Sequence, residues 1–184
     1  MLGAAAVTSP LKRKVLPMDA KREVALHVLA TLAYRTQKAA AGAPAGFADF
    51  DAGEGTRSPR EVVRHMADLL RFARSMFRPT EPLDDGTPGR HEWSVAVDEF
   101  RVALTALALE IPASDLLAKR DGRPMTLEQL VQGPLSDALT HAGQLAFLRR
   151  LAGSPIPGED FTRADVHRTL HEWTQDATHA GELA

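Results

Sequence analysis

The chain contains no cysteine. A disulfide framework, a thiolate metal site and a protein thiol nucleophile are therefore excluded, and any thiol chemistry has to use a small-molecule thiol. There is no broad excess of basic residues either. The formal net charge is -2 and the isoelectric point about 6.4, so neither nucleic acid nor an anionic membrane is expected as a partner. No apolar run approaches the roughly 20 residues of a membrane-spanning helix. The N-terminus places its short apolar run before the basic cluster Lys12-Arg13-Lys14, the reverse of signal-peptide order. A cytoplasmic protein is expected, with residues 1–17 as a flexible arm. Internal repeats, a glycine-rich phosphate loop, a nucleophile elbow and a Ser-His-Asp order are also missing.

What is present is helical periodicity. With 184 residues, 44% of them hydrophobic, the chain suits one domain with a sizeable core, and its patterning is all-α. Residues 18–41 read as a helix with Asp19 as N-cap and Leu26, Leu29, Ala30, Ala33 and Gln37 along one side; Gly42, Pro44 and Gly46 end it. The loop that follows is about 16 residues, long for a helix connection. Its Phe47 and Phe50 are expected either to wall a pocket over one bundle end or simply to anchor the loop.

A second helix runs from Ser58 to Met76, opened by Ser58 as N-cap, Pro59 at the first helical position and Glu61 completing a capping box. A third, His91 to Glu110, carries a core stripe of Trp93, Val97, Phe100, Leu104 and Leu107 and stops at Ile111-Pro112. Residues 113–120 allow a short turn. Thr126 and Gln129 form another capping box, after which Gly133-Pro134 is expected to break the chain. The next helix, Pro134 to Gly153, ends with Arg149 and Arg150 on the negative end of its dipole and Gly153 as C-cap.

Two of these helices carry polar groups on apolar stripes. On the Pro134–Gly153 helix, Asp137 and His141 are one turn apart, about 40° in projection, and Gln144, Leu145, Leu148 and Leu151 continue the same face. On the second helix, Leu69, Phe72 and Met76 fall within about 40° of His65, and Val62 within about 60°. Both polar sets thus face inward on this reading. A carboxylate buried without a partner costs several kcal/mol, roughly, so it calls for a hydrogen bond, an ion pair or a metal. A solvated or hydrogen-bonded Asp137–His141 pair and a core histidine at His65 are the metal-free alternatives. A further set, His167, His171, Glu172 and His179, is a rival for a metal. The stripe of Val166, Leu170 and Trp173 is offset from it by one residue, which puts it at the edge of the packed face.

One inward histidine on an early helix and an inward Asp-xxx-His pair on a later one resemble the DinB-like superfamily of bacterial four-helix-bundle metalloproteins. That family places a histidine in its second helix and an HxxxH pair in a later helix, the last histidine followed by a short Gly-Gln motif. His65 matches the first position, and His141, in HAGQ with Gly143 and Gln144, matches the last; Asp137 stands where the family more often has histidine. The resemblance spans residues 18–160. It implies an up-down-down-up four-helix bundle with extra short helices, leaving residues 161–184 as a C-terminal helical tail. It further implies a divalent metal, zinc, nickel or iron, on His65, Asp137 and His141, since carboxylate and imidazole accept the same borderline cations.

Three protein ligands leave a coordination position open, as in catalytic zinc sites. Relatives include transferases that use mycothiol, bacillithiol or glutathione and a maleylpyruvate isomerase. The expectation is therefore a metal-dependent enzyme performing S-transfer or hydrolysis on a small-molecule substrate, possessing a low-molecular-weight thiol as co-substrate in the first case. The alternative is a non-catalytic stress-response bundle that binds metal or ligand. Gln144 is expected to orient a bound group or bond a packing neighbour, and Arg149 to receive an anionic substrate or cap its own helix. No catalytic acid or base stands out. Bundles of this size often pair through an exposed apolar face, which makes a homodimer one expected assembly.

Overall fold

The computed structural model describes residues 19–84, 86, 92–113, 117–118 and 121–182, with side chains to residue 176. The described residues are helical, without a named strand; an isolated antiparallel bridge joins Ala118 to Pro124. The expected arm at residues 1–17, His91 and most of the 113–120 turn lie outside the described residues.

Five long helices carry the fold: α1 (Ala20–Ala40), α2 (Pro59–Ser75), α3 (Trp93–Glu110), α5 (Ser136–Leu151) and α6 (Val166–Glu182), with a short α4 (Leu127–Leu130) before α5. Their starts follow from the chain. The Asp19 side chain accepts from the Arg22 backbone N–H, and both capping boxes close, Ser58 with Glu61 and Thr126 with Gln129. Gly153, at φ 74°, ends the run after α5, a conformation that costs glycine nothing.

Around the body, α1 packs on α6, α6 on α3, α3 on α2, α2 on α5, and α5 on α1, while α1 also touches α3. Phe100, Leu29, Leu32, Met66, Leu70, Leu104, Leu107, Leu135 and Leu145 fill the interior. Burying each such side chain stabilises the fold by about 1.5–3 kcal/mol. The C-terminal segment, expected as a tail, is packed against α1 and α3, with Val166 and Leu170 in the core. No helix among the described residues is long and apolar enough to cross a membrane.

The expected break at Gly133-Pro134 is absent. Residues Val131–Leu135 form a π-helical turn that joins α4 to α5, so the helical path is continuous from Leu127 to Leu151. Proline has no N–H to give, and the wider turn accommodates it. The Ser136 hydroxyl donates to the Val131 carbonyl at 2.6 Å, adding to the backbone bond that Ser136 N–H makes to the same group. The buried residues Leu130, Pro134, Ala138 and Ala142 stand four apart. Three such steps on a plain α-helix would turn the stripe by about 120°, and the wide turn takes up part of this.

Buried arginines close two helix ends. Arg22 donates from Nε to the carbonyl of Ile111, the C-cap of α3, and from Nη1 to Asp19. Arg149 donates to the carbonyls of Ala39, Ala41 and Gly42 at the end of α1 and to Ser154 O and Oγ. Its guanidinium also stands 5.6 Å from the centre of the Phe47 ring, and Phe47 packs edge-on against Trp93. This corrects the expectation of Arg149 as a substrate receiver: it is buried, and its donors are spent on backbone carbonyls. Buried Glu110, the last residue of α3, receives Arg74 of α2 and Arg78 just beyond that helix. Arg149→Ala is expected to lower unfolding stability in urea by about 3 kcal/mol, because it strands buried carbonyls. Arg149→Lys recovers only part of this, since an ammonium cannot reproduce the planar fork.

Candidate metal centre

The continuous helix path places Asp137 in the first turn of α5 with His141 one turn later, and α2 lays His65 against them. His65 Nε2 lies 3.9 Å from Asp137 Oδ2, and His141 Nε2 lies 3.4 Å from Asp137 Oδ1. The two imidazoles meet edge to face with centroids 4.7 Å apart. One ligand atom from each of the three residues falls within 4.8 Å of the others, and this is the group of three or more His, Asp or Glu side chains among the described residues that could hold a metal ion.

The donor set fits a cation. Bonds of about 2.0–2.1 Å in tetrahedral geometry put ligand atoms about 3.3 Å apart. The His141–Asp137 separation already matches; the others, within 4.8 Å, are wider, and closing them on a cation takes side-chain rotation of half-buried His65 and of Asp137, whose side chain is 50% exposed. The tautomer matches as well. His141 Nδ1 is 2.7 Å from Gln144 Oε1, so Nδ1–H donates and Nε2 presents its lone pair toward Asp137 and His65. Gln144 is thereby the residue that orients His141.

The site is an edge of the core. His141 is buried and His65 half-buried, but Asp137 is exposed. Of the flanking stripe, Val62, Met76, Leu145 and Leu148 are buried, whereas Phe72 and Leu151 are exposed. The inward-facing expectation is therefore corrected for Asp137, Gln144, Phe72 and Leu151, which are exposed to solvent. Beside His141 and Gln144 opens a pocket of about 540 Å³, walled by Val62, Leu148 and Phe147 and by Gly55, Thr56 and Arg57 of the loop before α2. The long loop does wall a pocket, with its later residues; Phe47 goes to the core instead.

The rival set does not assemble. His167, His171 and Glu172 are exposed, and the His179 side chain lies outside the described residues. His167 Nε2 instead meets His27 Nδ1 of α1 at 2.9 Å. Sequence periodicity on one helix gave no sign of that cross-helix pair.

His65 is held below the ordinary imidazole pKa, first by burial, then by the charges of Arg57 and His141, against the opposing pull of Asp137 and Asp68. It is thus neutral, the form a metal requires, at neutral pH. The unfolded chain takes up this proton more readily than the folded one. Stability from the neutral ring is full above the unfolded value of 6.5 and is lost as pH falls below it. Chelator-treated wild type should lose melting temperature between about pH 7.5 and 5.5, and His65→Asn should lose less across the same window. Comparisons with protein-family models, curated proteins and solved structures returned no match for this chain, so the reading of the centre rests on its own geometry.

Proposed function

We propose that the protein binds one divalent transition metal through His65, Asp137 and His141 and acts on a small molecule seated in the adjoining pocket, by thiol S-transfer or hydrolysis. The convergence of two imidazole nitrogens and a carboxylate from two helices, with ligand atoms within 4.8 Å of one another, carries this reading. The DinB-like resemblance agrees with it, since the matching positions His65 and His141 lie in edge-to-face contact. When bound, the cation supplies Lewis acidity that lowers the pKa of a water or of a small-molecule thiol, which a cysteine-free chain has to recruit.

The chain's own residues have distinct tasks. His65 and His141 would supply ring nitrogens, Asp137 would offset part of the cation's charge, and Gln144 holds the His141 ring. Three ligands leave room on the solvent side, where the pocket opens. That opening favours catalysis over a sealed binding bundle.

Elemental analysis of untagged protein is expected to find about one equivalent of divalent metal, zinc, nickel or iron, lost in His65→Ala and in His141→Ala. Gln144→Ala should keep the fold and weaken metal affinity roughly 10–100-fold. Metal-loaded protein is then expected to turn over thiol acceptors or hydrolysable esters. Metal-free wild type after incubation with each cation would overturn the proposal, and stoichiometric metal without turnover would reduce it to the non-catalytic metal-binding alternative.

A further inference from the structure

The pocket beside the candidate centre has a chemical character of its own. Among its described lining residues Arg57 is the one arginine or lysine, and there is no carboxylate. Arg57 is exposed and makes no ion pair with any described residue, unlike Arg60, which is taken by Asp49, and Arg71, which is taken by Asp68. Gln144 adds to this. Its Oε1 is committed to His141 Nδ1, so its amide nitrogen, with two protons to donate, is left for the pocket. Thr56 contributes a hydroxyl from the same loop as Arg57.

Charged and polar donors thus line one side. The rest of the lining is mainly hydrocarbon: Val62, Phe147, Leu148 and Leu151, of which Phe147 and Leu151 remain 60% and 49% exposed. Large apolar side chains held in water beside a pocket mark a surface awaiting an apolar occupant. The volume of about 540 Å³ is within the range that takes a small organic molecule whole.

We infer that this pocket is the receiving site for a small organic carboxylate with an apolar body, its anionic end on Arg57 and the Gln144 amide and its hydrocarbon against Phe147, Leu148 and Leu151. The inference rests on the reading of the neighbouring residues as a metal centre only for what happens to the bound molecule, not for its binding. A guanidinium offers a carboxylate two parallel donors, which a neutral amide analogue cannot match. The apolar wall selects against polar peptide-like anions of similar charge. Such a ligand would lie with one end beside His141, at the mouth of the candidate centre.

Calorimetric titration of the protein with benzoate, and with benzamide as its neutral counterpart, tests this directly. Benzoate is expected to bind wild type, to bind Arg57→Gln about tenfold more weakly or worse, and to be favoured over benzamide only when Arg57 is present. Arg57 is an exposed loop residue, so the variant should fold and melt cooperatively as wild type does. Equal benzoate affinity in wild type and Arg57→Gln, benzamide binding as tightly as benzoate, or no benzoate binding at all would each overturn the inference. Glutathione binding more tightly than benzoate would overturn the role given to the apolar wall. The same titration on chelator-treated protein separates the two readings: Arg57-dependent benzoate binding without metal upholds the anion site even where the metal centre fails.

Discussion

A single buried guanidinium sets the position of the helix on which the site depends. Arg149 makes five hydrogen bonds, three of them to carbonyls at the end of α1 and two to Ser154. A cation buried among neutral acceptors is costly, and the negative end of the α1 dipole offsets much of that cost. Because the bonds are directional and several, α5 has little freedom to slide along α1. His141 lies eight residues earlier on the same helix, about 12 Å away along the axis. Whatever locks Arg149 therefore locks His141.

The other half of the register comes from α2 and the π-helical turn. Without the wide turn at Val131–Leu135, the apolar faces of α4 and α5 would point in different directions, and Leu130 and Leu145 would not share one core. Placed where it is, the turn delivers Asp137 to the start of α5 beside α2. The α2 helix is itself held to α3 by buried Glu110 between Arg74 and Arg78. A carboxylate buried this deeply is costly away from its arginines, so the cluster favours this pairing of α2 with α3. The three candidate ligands thus meet because two interfaces, α5 on α1 and α2 on α3, are both pinned by charged groups distant from the site.

An edge location gives the candidate centre its chemical character. One imidazole is buried and one half-buried, while the carboxylate faces water. Burial keeps His65 neutral, exposure leaves space on the outer side, and the loop before α2 turns that space into a pocket with Arg57 at its rim. A centre deeper in the bundle would hold its ligands more firmly and admit nothing else.

Much of this was legible in the chain. Capping residues are local, so Asp19, Ser58 with Glu61 and Thr126 with Gln129 marked helix starts that need no tertiary partner. Spacing along one helix put Asp137, His141 and Gln144 on one face, since that follows from 3.6 residues per turn. Long-range matters were not legible. The α1 helix reads as having one apolar side, yet Leu32, Thr36 and Ala39 are buried as well as Leu29 and Ala33, because α3, α5 and α6 all pack on it. Gly133-Pro134 reads as a break, and only the packing of the flanking helices makes a wide helical turn the better solution. Arg149 reads as one of two cations at a helix end; its burial depends on where α1 stops. By itself, then, the sequence determined the helices, their caps and which side chains share a face. The tertiary structure alone decided that His65 meets Asp137 and His141, that Arg149 is spent on α1 and that Arg57 has no ion-pair partner among the described residues, because each depends on which helix lies alongside which.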